Sequence, residues 1–206
     1  ITVKKTVSSV AHHLKTSEEN VFVASTGVIG EPLDYKKITD RVKKLKENLK
    51  PNSFLNAAEA IMTTDTYPKG SKIECSLDNT SIKINGIAKG SGMIAPNMAT
   101  MLVFIFSDIA IEKNILRKIV ANCNQKSFNC ITVDSDTSTS DSLFVIATGR
   151  AEMSKIRHLN DPRANKFQEH LQKVMLELAH LVIKDGEGVT KFIEIVVKGA
   201  RSNISA

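Results

Sequence analysis

The most informative stretch of this chain is Gly86-Ile87-Ala88-Lys89-Gly90-Ser91-Gly92-Met93-Ile94-Ala95-Pro96-Asn97-Met98-Ala99-Thr100-Met101. A Gly-Ser-Gly loop follows a strand-like run, a Pro-Asn turn comes next, and a threonine then opens an apolar segment. The order is not that of a phosphate-binding loop, because Lys89 precedes the glycines, and the spacing is not G-x-G-x-x-G. By residue type alone the segment also reads as a tight turn ending in a strand-starting threonine. A threonine hydroxyl is a poor nucleophile unless a base stands beside it.

KGSGMIAPNMATM closely resembles the cleavage-site segment of the ornithine acetyltransferase (glutamate N-acetyltransferase) family, and four further segments match in the same order. Ala24-Ser25-Thr26-Gly27-Val28-Ile29-Gly30 is similar to the family's oxyanion-hole segment, and Met62-Thr63-Thr64-Asp65-Thr66-Tyr67-Pro68-Lys69 to its TTDT substrate-binding stretch. Lys89, eleven positions before Thr100, corresponds to the family's substrate-binding lysine. Asn129-Cys130-Ile131-Thr132-Val133-Asp134 with Asp136-Thr137-Ser138-Thr139 resembles another signature, with Ser135 in place of a usual glycine. Lys184-Asp185-Gly186-Glu187-Gly188-Val189-Thr190-Lys191 resembles its KDGEGATK segment. The family extends further at both ends, so the chain is expected to be a central portion of something longer.

The resemblance implies self-cleavage between Ala99 and Thr100. Residues 1–99 would then give the α chain and 100–206 the start of the β chain, together one main domain and paired in a heterotetramer. It implies Thr100 as nucleophile, Thr26 and Gly27 as oxyanion donors, and Thr66, Lys89, Thr100 and Glu187 as substrate-binding residues. The implied reaction moves acetyl from N2-acetylornithine to glutamate by a ping-pong cycle in arginine biosynthesis, with acetyl-CoA as a conceivable second donor and no cofactor or metal. The chemistry suits the residues. An α-amine has a reference pKa of about 7.7–8.0, so an amino-terminal Thr100 carries its own base. Oxyanions are best met by preorganised donors, and glycine lets a backbone N–H come close. The histidines His12, His13, His158, His170 and His180 then need no catalytic role. Two rival readings are a related self-processing aminopeptidase and an inactive truncated binding subunit.

The elements that must hold these residues read as an α/β fold, an α+β layered sandwich. Periodicity predicts helices over 3–16, 34–49, from Asn52-Ser53 through Met62, over 112–123, and a long one opening at Asn160-Asp161-Pro162. Strands are predicted at 21–24, 71–77, 81–88, 101–106, 129–133, 143–148 and 192–197, with Asp78-Asn79 as a turn.

Composition bounds the rest. The net charge is +6, but the run Lys43-Lys44-Leu45-Lys46-Glu47-Asn48-Leu49-Lys50 sits on a helix whose apolar positions are Ile38, Val42, Leu45 and Leu49. Its lysines therefore fall on a solvated face, with no interleaved aromatics, which argues against nucleic acid. The most apolar window, 93–111, is broken by Pro96, Asn97 and Asp108, so no membrane span is expected. Cys75, Cys123 and Cys130 form no ligand pattern and are odd in number, which fits a cytoplasmic protein.

Overall fold

A computed structural model of the chain describes residues 1–28, 30–95 and 101–202. The expected cleavage bond, with Ala99 and Thr100, lies outside the described residues, as does Ile29. The chain is of mixed α/β class. Its helices are α1 (Thr2–Leu14), α2 (Lys36–Thr39), α3 (Val42–Glu47), α4 (Phe54–Ala60), α5 (Lys113–Asn124) and α6 (Pro162–Lys184). The strands β1 (Lys69–Leu77), β2 (Thr80–Lys89), β3 (Leu102–Ser107) and β4 (Ser142–Ala147) form one sheet in the order β1-β2-β3-β4.

β1 and β2 form a hairpin in which Leu77 pairs with Thr80, leaving a two-residue turn. Asp78 and Asn79 both have positive φ, 48° and 67°, which is the conformation a type I′ turn demands and which Asp and Asn tolerate. β3 runs antiparallel to β2, and β4 parallel to β3, so α5 lies in the crossover between them. Such parallel connections need a long excursion, usually helical.

The core lies between the sheet and α6. Phe167, Leu171, Val174, Met175, Leu178, Ala179 and Val182 recur at helical spacing along α6 and are all buried. They meet Leu77, Ile82, Ile84, Ala88, Val103 and Ile105 from the strands. Each large apolar side chain buried in this way contributes roughly 1.5–3 kcal/mol. Gly86 of β2 is required by this contact, since a Cβ there would stand 2.8 Å from Leu178 Cδ1. The helix starts where expected: Asp161 caps it by accepting from the Arg163 N–H at 2.9 Å, and Pro162 follows at N1. Side chains alternate along a strand, so Phe104 and Phe106 face away from this core. There Phe106 meets Phe54 of α4 edge-on, and Phe104 stacks on Phe144.

Five expectations fail. The helix over 34–49 is two short pieces, α2 and α3. Only Val42 of its apolar stripe is buried, while Leu45 and Leu49 are exposed, so packing does not stabilise a continuous helix. The segment at 129–133 is a 3₁₀ turn (Phe128–Cys130) running into a loop. In that loop the Ser135 N–H donates to Thr132 Oγ1 and the Asp136 N–H to Asp134 Oδ1, side-chain acceptors that compete with a ladder. Val21–Ala24 and Phe192–Val197 have the composition of strands but no strand beside them among the described residues. α4 also ends at Ala60 rather than Met62, and Ser53 makes no side-chain cap bond.

Candidate active site

Two carboxylates and one lysine organise the loops at one end of the sheet. Lys69, first residue of β1, is fully buried, and its ammonium donates to Asp65 Oδ1 at 2.5 Å and Asp185 Oδ2 at 2.6 Å. Asp65 also accepts from the N–H groups of Gly90 (2.8 Å) and Thr63 (3.1 Å). Burial alone would push the Asp65 carboxyl up, but the Gly90 N–H, Lys69 and the Thr63 N–H outweigh it and hold it below its ordinary value. Asp185 is held low in the same way by Lys69 and Thr66 against its burial. One cation thus ties the 62–69 loop to the end of α6, and Asp65 ties both to the glycine loop after β2.

These ties put residues far apart in sequence around one cleft of about 430 Å³, whose lining includes Thr26, Gly27, Thr63, Thr64, Lys89 and Glu187. Lys89 ends β2 and is 2% exposed, and its Nζ donates to Thr63 Oγ1 at 3.2 Å. Burial draws its pKa down, and Lys69 adds to that, while Asp65 and Asp141 oppose it. Thr64 and Ser91 share a hydroxyl–hydroxyl hydrogen bond of 3.0 Å. Glu187 is fixed at its backbone, where its N–H donates to the Ser91 carbonyl at 2.7 Å. Its carboxylate lies over Gly92, where a Cβ would come within 2.9 Å of Glu187 Cδ.

Of the residues singled out in the sequence, Thr26, Gly27, Lys89 and Glu187 meet at this cleft. Thr66 does not line it: its N–H and its hydroxyl both donate to the Asp185 carboxylate. Thr63, Thr64 and Ser91, which do line it, lie in the matched motifs but were not singled out.

The loop 131–142 carries the rest of the scaffold. The Ile94 carbonyl accepts from the Val133 N–H and the Thr132 hydroxyl, both at 2.8 Å. Asp134 accepts from the N–H groups of Met93 and Ile94. These donors, with the Asp136 N–H, hold its carboxyl low despite its burial. At the far end Asp141 Oδ1 accepts from the Met101 N–H at 2.7 Å, and the Ser142 N–H donates to the Met101 carbonyl at 3.0 Å. One loop therefore holds both flanks of the expected cleavage bond. Met101 is buried and packs against the glycine loop, where a Cβ on Gly90 would stand 3.1 Å from its Cγ.

Comparison with known proteins gives the lineage, since the ArgJ family matches residues 2–206, nearly the entire chain. This chain belongs to the ArgJ family. Its ArgJ relatives include the arginine biosynthesis bifunctional protein ArgJ of Caulobacter vibrioides, 46% identical over 204 residues, which are 99% of this chain and 51% of that protein. The protein of that name from Gluconobacter oxydans is 46% identical over 95% of this chain and 46% of its own length. The one from Ruegeria pomeroyi is 49% identical over 90% of this chain and 44% of its own. The chain thus spans about half the length of the curated ArgJ relatives it matches. Among the described residues no helix is long and apolar enough to cross a membrane.

Proposed function

We propose that the intact protein carrying this chain is a self-processing glutamate N-acetyltransferase of arginine biosynthesis. The observation that carries the reading is the convergence of Thr26, Gly27, Lys89 and Glu187 on one cleft, with Met101, the neighbour of Thr100, packed against Gly90 of the adjoining glycine loop. The names of the ArgJ relatives supply the pathway.

In this reading the Thr100 hydroxyl attacks the Ala99 carbonyl, the acyl group shifts from nitrogen to oxygen, and water hydrolyses the ester. The freed α-amine then takes the hydroxyl proton of each cycle. Thr100 Oγ attacks the acetyl carbonyl of N2-acetylornithine, and the Thr26 hydroxyl and Gly27 N–H donate to the oxyanion. Ornithine leaves with the proton, and the amine of glutamate takes the acetyl group from the ester. Lys89 suits a substrate carboxylate and Glu187 a substrate ammonium, opposite charges for an amino-acid substrate. Lys89 meets that task from a buried position, where a charge is felt most strongly. Binding by Thr66 requires its hydroxyl to leave Asp185. The α and β chains stay together as a heterotetramer in the cytoplasm.

Intact mass spectrometry of the full protein beside Thr100→Ala tests the first half. Two fragments, one beginning at Thr100, are expected in wild type only. Acetyl transfer from N2-acetylornithine to glutamate tests the second half, and acetyl-CoA offered as donor in the same assay tests its use. An uncut, inactive wild type would sink the reading.

A further inference from the structure

Asp141 stands immediately before β4, against the first residue of the apolar run that becomes β3. Its Oδ1 accepts from the Met101 N–H at 2.7 Å. Its Oδ2 is shielded from solvent and has no hydrogen-bond partner among the described residues. Lys89 of β2 is the charged group that acts on Asp141, and Asp65 and Lys69 act in turn on Lys89. The Lys89 ammonium makes its hydrogen bond to Thr63. Burial pushes the Asp141 carboxyl up to about 6, although the Met101 N–H and Lys89 both draw it down.

A buried acceptor left unused costs about 1–3 kcal/mol, more when it is charged. Such a group is retained where a partner arrives at some stage. The partner must be a donor, and a cationic donor best offsets the desolvated charge. The autocleavage proposed above would create one nearby. The nitrogen of residue 100 is joined to the Met101 nitrogen by three bonds of about 1.46, 1.52 and 1.33 Å. Asp141 already holds that second nitrogen.

Resting on that autocleavage reading, we propose that Asp141 is a positioning residue for the amine that scission frees. Oδ1 keeps the Met101 N–H, and Oδ2 accepts one N–H of the new α-amino group. The amine's lone pair is then left to take the Thr100 hydroxyl proton, and the carboxylate is what orients it. An anion at hydrogen-bond distance favours the charged form of an amine, so Asp141 holds the amine pKa up while Lys89, from β2, opposes it.

The test uses the intact protein as wild type, Asp141→Asn and Asp141→Glu. The pH dependence of kcat/KM for N2-acetylornithine is measured, and the pH dependence of reagent acylation at the Thr100 amine is followed by mass spectrometry. Opposite charges at this range move a pKa by about 1–3 units. The acid limb and the labelling curve of Asp141→Asn are therefore expected about one unit or more below wild type. Asp141→Glu, which keeps the anion, is expected to stay with wild type while its maximal rate falls. A residue that merely braced Met101 would lower the rate without moving either curve, and that result overturns the inference. So does an Asp141→Asn chain that stays uncut, which would assign Asp141 to the scission itself. A Glu variant whose labelling departs from wild type by a unit overturns it too, and serves where the Asn variant does not fold. An uncut wild type defeats both this inference and the function it rests on. A cut, active wild type with an unmoved Asn variant defeats this one alone.

Discussion

At the scale of single residues the site is set by groups that are costly to keep. Burial raises the Asp141 carboxyl from an ordinary value of 3.8 to about 6, which still leaves it ionised at neutral pH. The folded state therefore binds the Asp141 proton more tightly than the unfolded state between those values. Stability from this group is complete below the unfolded pKa and is lost as pH rises through about 6. Asparagine carries no such dependence. In the uncleavable Thr100→Ala background, Asp141→Asn is expected to gain stability relative to its parent on going from pH 4 to pH 8, by up to about 3 kcal/mol at 1.36 kcal/mol per unit. Urea unfolding at the two pH values reads this directly, and an equal difference at both would mean that burial does not penalise the charge. Gly92 is a second such position, since a Cβ there meets the Glu187 carboxylate carbon at 2.9 Å and its oxygens at 3.0 and 3.1 Å. Those atoms are the free end of an exposed side chain, so Gly92→Ala moves Glu187 rather than the fold. Losing one charged hydrogen bond to substrate costs about 1.5–3 kcal/mol, so kcat/KM for N2-acetylornithine should fall roughly 10- to 100-fold. The unfolding midpoint should stay put. A large midpoint shift with unchanged kinetics would place the role of Gly92 in stability.

At the scale of elements, the Lys69 ammonium is the joint between the 62–69 loop and the end of α6, and Gly90 brings in the loop after β2 through Asp65. Lys69→Met leaves Asp65 and Asp185 buried without their cation, a loss of about 3–5 kcal/mol. Both carboxyls are held below 3.8 in the native chain. Their contribution is thus present at neutral pH and lost as pH falls below the unfolded value. Without Lys69 the sign reverses, because protonation then relieves the buried charge. Lys69→Met is expected to unfold at lower urea than wild type at pH 7 and to recover part of the gap at pH 4. Asp65→Asn with Asp185→Asn should restore it at pH 7. This joint is also where sequence reading runs out. The β1–β2 hairpin and α6 were legible because periodicity, the Asp78-Asn79 turn and the Asp161-Pro162 cap are local signals that agree with one another. Asp65, Lys69 and Asp185 are ordinary charged residues separated by up to 120 positions, and nothing in their types says that they are buried together. Thr66 illustrates the same gap: its motif was recognisable, but the Asp185 that takes its hydroxyl was not. The cleft was half legible, since Thr26, Gly27, Lys89 and Glu187 were found by motif while Thr63, Thr64 and Ser91 fell inside motifs unremarked.

At the scale of the whole molecule, apolar surface is distributed unevenly. The core beneath α6 is closed, yet the segment after Glu187 leaves Ile193 75% and Ile195 84% exposed, with Phe192, Val196 and Val197 also open to solvent. Its start is anchored, because Phe192 lies against the His180 ring at 5.3 Å and under the Lys184 ammonium at 5.3 Å. Beyond that anchor the residues through Val197 are all exposed and mostly β-branched, the composition of a strand without one beside it among the described residues. An exposed segment of strand composition is suited to pair with another chain, and a contiguous apolar patch is rare on a protein that stays monomeric. The 206-residue chain on its own is therefore expected to self-associate with rising concentration, as followed by sedimentation velocity. Ile193→Lys with Ile195→Lys puts two charges on that segment at positions that are largely exposed, so folding should be unchanged while the association is suppressed. Exposed substitutions of this type shift stability by about 0.5 kcal/mol or less, which circular dichroism melting can confirm on the same samples. If the doubly charged variant still associates as wild type does, the contact belongs to another apolar face, with the exposed Phe22 as the next position to charge.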